Sequence, residues 1–383
     1  MATMTTFARM PISSRRAVGW WLAVLASFIA AMVVVGGLTR LTGSGLSITE
    51  WHPVTGVVPP LSESAWQTEF AKYQHVPQYR LEHRGMSLVG FKAIYWWEWT
   101  HRLLGRLIGF VFLLPFLYFV AVRAISRTEI PRMVLLFALG CLQGFVGWWM
   151  VESGLETRVS VSQYRLAIHL GVALILFAAI LWTAFEYLAP PPLAGEVACD
   201  AKRSKTEGGR VDTTSPLRLA SLGSSPASGG GKIATAFVIL VYMQMLLGAL
   251  VAGLHGGLVY NTWPSMDGRV FPEGAFFGKP WWLNFFENAG LAQFDHRLGA
   301  YVVTAAAAWL WLRSRRQTPL ARASANALLA VTAAQIVLGI VTLLNQAPVA
   351  LAALHQAMAV ALLATALWHA FEQSREAQAA PSA

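Results

Sequence analysis

Four histidines stand in paired sequence contexts that suit binding of a metal centre. His101 and His296 each begin a His-Arg-Leu triplet, and His169 follows the first by 68 residues while His355 follows the second by 59. If the members of each pair lie on helices of one bundle at one depth, each pair forms two facing imidazoles. Facing neutral imidazoles in a helical bundle suit axial ligation of a haem iron, and a low dielectric favours the neutral form. The sequence therefore predicts two bis-histidine haem sites.

A carboxylate distinguishes the first of these sites from the second. Glu98 precedes His101 by three residues, so the two side chains share one face of a helix, whereas Gln293 holds the same place before the second triplet. A plain bis-histidine pocket suits electron transfer, and an added carboxylate suits substrate chemistry or proton handling. We therefore predict a catalytic role for Glu98. The simpler alternative is an interfacial charge paired with Arg102 or Arg106.

An arginine is the second difference between the two sites. Arg165 precedes His169 by four residues and shares its helix face, whereas Leu351 stands at the matching place before His355. Such an arginine can hold a haem propionate, or it can simply extend its guanidinium to the membrane surface. The four histidines also have a plainer interpretation, as interfacial residues with one edge in water. Zinc is a poorer one, because two imidazoles without cysteine leave a tetrahedral site incomplete.

Composition places these sites in a membrane. Hydrophobic residues make up 56% of the 383-residue chain and charged residues 13%, whereas soluble domains have about 25% charged residues. Apolar runs of roughly 20 residues can cross the hydrocarbon core as helices. Eight such segments occur, at about 17–38, 103–123, 133–151, 164–187, 233–253, 297–313, 324–344 and 350–371.

The chain has a net charge of +10, and its positive residues are distributed as in a membrane protein. More than half of the 29 Lys and Arg residues fall in segments that are internal when the N-terminus is inside. This distribution obeys the positive-inside rule and predicts that both termini are cytoplasmic. It also places the four histidines toward the periplasmic ends of their helices. Nucleic-acid binding has no further support.

The chain divides into two similar halves, and the prediction is an all-α integral membrane protein of eight transmembrane helices. Residues 188–232 are rich in Pro, Ser and Gly and predict a flexible cytoplasmic linker. The pattern restarts after it, so 17–187 and 233–372 are predicted to be duplicated four-helix bundles. An even number of spans relates them by a pseudo-twofold axis along the membrane normal. Cytoplasmic tails are predicted at 1–16 and 373–383, although basic, acid-free residues 1–16 also fit a mitochondrial presequence.

Taken together, these residues make the chain similar to a known family. It resembles haem A synthase, the membrane enzyme that converts haem O to haem A for cytochrome oxidases, over nearly all of 17–372 except the linker. It lacks the outer-loop cysteine pair of some bacterial members and is closer to the proteobacterial and mitochondrial branch. The motifs that carry the resemblance are Gly36-Gly37-Leu38-Thr39-Arg40-Leu41-Thr42, Ser44-Gly45-Leu46-Ser47, Trp97-Glu98-Trp99-Thr100-His101-Arg102, Tyr164-Arg165-Leu166-Ala167-Ile168-His169, Tyr260-Asn261-Thr262-Trp263-Pro264 and Asp295-His296-Arg297.

The resemblance implies different tasks for the two halves. A haem b cofactor would be held by His296 and His355 in the C-terminal half. In the N-terminal half, haem O would be oxidised between His101 and His169, with Glu98 beside them, and haem A would be the product. The C8 methyl group would become a formyl group through successive hydroxylations and loss of water.

Cofactor contacts, partners and location complete the prediction. Arg40 and Arg165 are assigned to cofactor binding. The candidate partners are haem O synthase, cytochrome oxidase assembly factors, an electron donor or acceptor, membrane lipid and a second copy of the chain. The predicted location is a bacterial inner membrane. Two alternative functions stay open, a dihaem cytochrome b-like electron carrier and a haem transporter.

Overall fold

Helices dominate the fold. The computed structural model describes residues 12–156, 158–190 and 229–379. Outside the helices, the described residues form loops, short 3₁₀ turns and one isolated β-bridge between Met266 and Arg269. In chain order the helices are α1 (Ile12–Leu41), α2 (Glu63–Tyr73), α3 (Pro77–Leu81), α4 (Leu88–Ala121), α5 (Ile130–Leu155), α6 (Gln163–Leu188), α7 (Gly229–Gly253), α8 (Asn284–Glu287), α9 (Ala289–Ser314), α10 (Pro319–Leu344) and α11 (Val349–Ala379).

Seven of these helices are long and apolar enough to cross a membrane, namely α1, α4, α5, α6, α7, α10 and α11. They confirm seven of the predicted apolar segments and a multi-pass membrane protein. The segment predicted at 297–313 is helical as part of α9, but α9 is not among the seven. Its hydropathy is lowered by Asp295 and Arg297 near its start and by Arg313 near its end.

The eight long helices pack as two rings of four. In the first ring, α1 and α5 each contact both α4 and α6; in the second, α7 and α10 each contact both α9 and α11. The rings meet through α1, α6, α7 and α11. Gln356 on α11 links them, because its Nε2 donates to the carbonyl oxygen of Val33 on α1 at 2.7 Å. The neighbour relations of the first ring therefore recur in the second.

The largest hydrophobic core joins the two rings. Its fully buried side chains include Leu22 from α1, Ile180 from α6, Val241 from α7 and Leu363 from α11. In a membrane, helices associate through close packing rather than through exclusion of water. This core therefore holds together the helices that carry the histidines.

The segment between α1 and α4 folds into an ordered cap. Ser87 caps α4, since its Oγ accepts a hydrogen bond from the Gly90 backbone nitrogen at 3.2 Å. With Ser87 as its N-cap residue, α4 begins well before residue 103, where the predicted span starts. The added turns let α4 contribute to a second, aromatic-rich core. Its buried residues are Ile48, Trp66, Tyr73, Val76, Phe91, Ile94 and Tyr95.

Replacing Phe91 with alanine is expected to unfold this cap locally. Phe91 is fully buried, with its ring centroid 5.0 Å from that of Phe70 and 5.4 Å from that of Tyr73. Removing a buried phenylalanine ring costs about 3–5 kcal/mol. Limited proteolysis of the purified protein should show cleavage within the cap. Val89→Ala is the control, because Val89 is 77% exposed on the same helix, and equal protease resistance of the two variants would contradict the expectation.

Helical structure extends into the predicted linker and tails. α7 begins at Gly229, inside the predicted linker 188–232, whereas residues 191–228 lie outside the described residues. α1 begins at Ile12 and α11 runs to Ala379. The remainder of each predicted tail lies outside the described residues.

Candidate functional site

His296 on α9 and His355 on α11 form a facing pair. Their ring centroids lie 6.4 Å apart, with the ring planes at 82°. Two imidazoles that ligate one metal ion from opposite sides, with metal–nitrogen bonds of about 2 Å, have centroids about 6 Å apart. Both histidines are partly buried. The pair therefore has the separation that axial ligation of one iron requires.

His101 on α4 and His169 on α6 form the corresponding pair in the first ring. Both are partly buried, and they lie close enough for their charges to interact. Nδ1 of His101 is buried and has no hydrogen-bond partner among the residues that the structure describes. Within the described ranges, no three or more His, Cys, Asp or Glu side chains cluster as metal ligands would. Each histidine pair therefore offers two candidate ligands, with no third beside them in the described ranges.

Each of the four histidines packs against a glycine on the preceding long helix. A Cβ placed on Gly36, Gly147 or Gly339 would lie 2.8 to 2.9 Å from Cε1 of the ring, closer than real Cβ atoms come, and one on Gly248 would lie 3.1 Å from it, a tight contact. Only a residue without a side chain leaves room for the imidazole there. The four contacts join Gly36 to His101, Gly147 to His169, Gly248 to His296 and Gly339 to His355.

Glu98 lies one turn before His101, and both of its oxygens accept hydrogen bonds. The residue is only 2% exposed. Its Oε2 accepts from Ser47 Oγ at 2.7 Å and from the Ile48 backbone nitrogen at 2.9 Å. Its Oε1 accepts from Nη2 and Nε of Arg102 at 2.6 and 3.1 Å. The carboxylate is thus held by four donors, including the predicted partner Arg102.

Arg102 and Arg106 anchor the loop that follows α1. Arg106 does not pair with Glu98; like Arg102, it reaches the loop backbone. Together with Glu98 they fasten this loop to α4. The carbonyl oxygens that accept from the two guanidiniums are those of Ile48 at 2.8 Å and Glu50 at 3.1 Å for Arg102, and His52 at 2.8 Å and Pro53 at 2.9 Å for Arg106.

Gln293 performs the same anchoring in the second ring with different partners. It is 3% exposed, and its Oε1 accepts from Arg297 Nη2 at 3.0 Å. Its Nε2 donates to the carbonyl oxygens of Gly256 at 2.8 Å and Tyr260 at 3.2 Å. The loop after α7 thus presents acceptors to Gln293, whereas the loop after α1 presents donors to Glu98. A carboxylate accepts from donors on every side, whereas an amide satisfies a mixed set, so the Glu-to-Gln difference matches the two loops.

The two arginines assigned to cofactor binding have different surroundings. Arg165 Nη1 donates to the carbonyl oxygen of Trp149 at 2.6 Å, and its guanidinium carbon lies 4.5 Å from the centroid of the Trp149 ring. The side chain of Arg40 is partly buried and makes no hydrogen bond or ion pair within the described part of the chain. His255 lies within electrostatic range of it. A partly buried guanidinium without a partner suits an anion.

A cavity of about 410 Å³ lies between part of the cap and α4. Glu50, His52 and Tyr95 are among the residues that line it, but none of the four paired histidines does. Hydrogen bonds from His52 and then from Lys72 hold the pKa of the Glu50 carboxyl below its ordinary value. The cavity therefore has charged walls but no ligand pair for iron, and the histidine pairs are the better candidate site.

Known proteins that are similar to this chain share one family. The COX15-CtaA family, described as cytochrome oxidase assembly protein, matches residues 19–367. This chain belongs to that family. Heme A synthase of Parvibaculum lavamentivorans is 45% identical over 93% of this chain and 94% of its own length. Heme A synthases of Bradyrhizobium diazoefficiens and Rhodopseudomonas palustris are 48% and 47% identical, over 98% and 94% of this chain and 97% and 90% of their own lengths.

This member of the COX15-CtaA family has further site residues that the histidine motifs do not reveal. They are the four cradling glycines and the glutamines that precede three of them by four residues. The sequence signal is Gln-x-x-x-Gly, a spacing that puts both residues on one helix face. It occurs at Gln143 in α5, Gln244 in α7 and Gln335 in α10, while α1 has Met32 at the matching place.

Proposed function

We propose that this chain is a haem A synthase, which oxidises the C8 methyl group of haem O to the formyl group of haem A. The methyl group passes through successive hydroxylations followed by loss of water. The observation that carries the proposal is the facing pair of His296 and His355, together with the packing of all four paired histidines on glycines. The relatives named heme A synthase, which match more than nine-tenths of the chain, support it.

The second histidine pair is proposed to hold a resident haem b. The centroid separation of 6.4 Å between His296 and His355 fits axial ligation of one iron, and Gly248 and Gly339 leave room for both rings. A bis-histidine haem supplies one-electron transfer. Gln293 holds the loop after α7 beside this pair through its contacts with the Gly256 and Tyr260 carbonyl oxygens.

The first histidine pair is proposed to bind haem O and to release haem A. His101 and His169 hold the substrate, and Glu98 assists oxidation at the methyl carbon by stabilising positive charge or by accepting a proton. The hydrogen bonds from Ser47 and Arg102 keep the carboxylate oxygens in place. This role explains why an acidic residue stands beside the first pair and a neutral amide beside the second.

Arg40 and Arg165 are proposed to bind the propionates of haem. The support for Arg40 is its partly buried guanidinium, which has no ion pair among the described residues. Arg165 shares its helix face with His169, and only one of its five N–H donors is used by Trp149. Bidentate hydrogen bonds from arginine match the geometry of a carboxylate.

We propose further that α9 is an eighth transmembrane helix. Its 26 residues, at about 1.5 Å per residue, suffice for a hydrocarbon core of about 30 Å. The recurring neighbour relations support duplicated four-helix halves, 17–187 and 233–372, related by a pseudo-twofold axis along the membrane normal. In this topology both termini are cytoplasmic, and the histidine pairs face the periplasm across a bacterial inner membrane.

Extraction of haem tests the proposed activity. The full chain is expressed together with a haem O synthase, and the haems are separated by chromatography. Haem A should appear only when this chain is present. Accumulation of haem B and haem O without haem A, despite a bis-histidine spectrum, would overturn the proposal in favour of an electron carrier.

Replacing His296 with alanine is expected to remove the resident haem. Loss of one axial ligand should lower haem b per purified chain by about 10-fold or more, since even changes around a ligand cost about 10–100-fold in affinity. Haem b is measured by the pyridine haemochrome spectrum. His75→Ala is the control, because His75 is exposed in the cap. Unchanged haem b in the His296 variant would contradict the assignment.

A further inference from the structure

We propose that three glutamines orient haem-ligating histidines and that the fourth histidine lacks such a partner because a methionine holds the matching position. The inference rests on the proposed ligation of haem by the four histidines. Gln143, Gln244 and Gln335 each precede a cradling glycine by four residues, whereas Met32 holds that place before Gly36. Residues four apart share one helix face. Each glutamine therefore reaches the same imidazole that its glycine admits.

The three amides lie within hydrogen-bond distance of the histidine rings. Two of them, Gln143 and Gln244, also donate to the backbone carbonyl oxygen of the same histidine, at 3.0 and 2.8 Å. Gln143 and Gln244 are thus held against the ligand residues by two contacts each, and Gln335 is held by one. The amide nitrogen of Gln143 lies 3.1 Å from Nδ1 of His169, and that of Gln244 lies 3.0 Å from Nδ1 of His296. The amide nitrogen of Gln335 lies 3.4 Å from Nε2 of His355.

The amide oxygens supply the acceptor that a ligating histidine needs. Oε1 of each of the three glutamines is buried and has no hydrogen-bond partner among the described residues. A neutral imidazole that ligates iron through one nitrogen carries its proton on the other, and that N–H is usually held by an acceptor. A carboxamide carries its oxygen and its NH₂ group at equivalent positions. A half-turn of the amide would place Oε1 against the ring N–H; in Gln143 and Gln244 this contact would replace the bond from Nε2 to the histidine carbonyl oxygen.

His101 has no such acceptor. Met32 stands where the glutamine would, and its Cε lies against Gly105, where an added Cβ would be 3.0 Å away. A thioether is only a weak acceptor. Nδ1 of His101, like that of His355, has no hydrogen-bond partner among the described residues, but no amide from that part of the chain bonds to the His101 ring. The first site therefore has one histidine beside a glutamine amide, and the second has two. This inequality suits their tasks, because a resident cofactor must stay bound while a substrate must enter and its product must leave.

The first test measures the reduction potential of the haem held by His296 and His355. In the purified holoprotein, Gln244→Glu should lower the midpoint potential, because a charged acceptor makes the imidazole a stronger donor to iron. Gln244→Leu should raise it, because the acceptor is lost. Potentials are compared for the haem that remains bound, because loss of the acceptor in Gln244→Leu should also weaken haem retention. A potential that is unmoved in both variants, with haem bound, would overturn the assignment.

The second test supplies the missing amide to His101. Met32→Gln should slow the transfer of haem from the first site to excess apomyoglobin by about 10-fold, the lower end of effects from groups around a metal ligand. Met32→Leu, which changes shape but adds no acceptor, should release haem at the parent rate. Equal release rates for the Met32→Gln variant and the parent would contradict the role of this position.

The outcomes separate this inference from the proposed function. If His296→Ala and His355→Ala retain the parent haem spectrum, the proposed ligation itself fails. If those variants lose haem but the Gln244 variants keep the parent potential, ligation stands and the glutamine assignment fails. Opposite shifts for Gln244→Glu and Gln244→Leu would support both.

Discussion

A Gly147→Ala variant should lose haem O binding at the first histidine pair while its fold stays intact. The new Cβ would lie 2.9 Å from Cε1 and 3.5 Å from Nδ1 of His169, so the ring would have to turn away from His101. A misplacement of about 1 Å can cost about 100-fold in rate. Haem A production should therefore fall by about 100-fold, measured by extraction after expression with a haem O synthase.

Gly144→Ala provides a matched control on the same helix. Nothing lies within 4 Å of a Cβ at Gly144. Alanine is a better helix former than glycine by about 1 kcal/mol, so neither substitution should weaken α5 itself. A loss confined to the Gly147 variant would point to His169. The same loss in both variants would show that the contact between Gly147 and the imidazole is not the cause.

A Glu98→Gln variant should stall at haem O or at a hydroxylated intermediate, with haem still bound to the second pair. All four partners of the carboxylate are donors, so an amide NH₂ would face at least one of them. An unsatisfied buried donor costs about 1–3 kcal/mol. If Glu98 acts at the C8 methyl group of haem O, as proposed, loss of its negative charge should lower haem A production by about 100-fold or more. Glu98→Ala should stall in the same way.

Two further variants separate chemistry from loop anchoring. Ser47→Ala removes one donor from Glu98 but keeps the charge, and Gln293→Ala weakens the corresponding anchor in the second ring. If Glu98 acts on the substrate, Ser47→Ala should retain most haem A production while Glu98→Gln does not. If Ser47→Ala and Glu98→Gln lose haem A production equally, anchoring of the loop would be the sole role of Glu98. Full haem A production by Glu98→Gln would refute the catalytic role altogether.

Local sequence patterns predicted where the long helices lie and singled out the histidines that the structure brings together in pairs. Their role as haem ligands stays a prediction. Apolar runs of about 20 residues predict membrane helices because hydrocarbon admits few other structures. The segment at 297–313 illustrates the limit of this signal. It is helical within α9, yet Arg297 and Arg313 lower its hydropathy, so composition alone does not separate it from an amphipathic surface helix.

The start of α4 was outside the reach of hydropathy. The helix begins at Leu88 because Ser87 caps it and because Phe91 and Tyr95 are buried against the cap. Those contacts come from Trp66 and Tyr73, which are distant in sequence. A hydropathy window averages the apolar character of consecutive residues, so it detects the membrane-crossing part of a helix. It misses polar turns that are stabilised by contact with another segment.

The sequence by itself determined the membrane class, the two histidine pairs and the difference between Glu98 and Gln293. Only the tertiary structure decided what these residues touch. The donors around Glu98 come from Ser47 and Ile48, about fifty residues earlier, and the cradles of the histidines come from glycines on other helices. Helix periodicity predicts which residues share a face, because it depends on neighbours in the chain. Which loop or helix meets that face depends on packing between distant segments, and no local pattern encodes it.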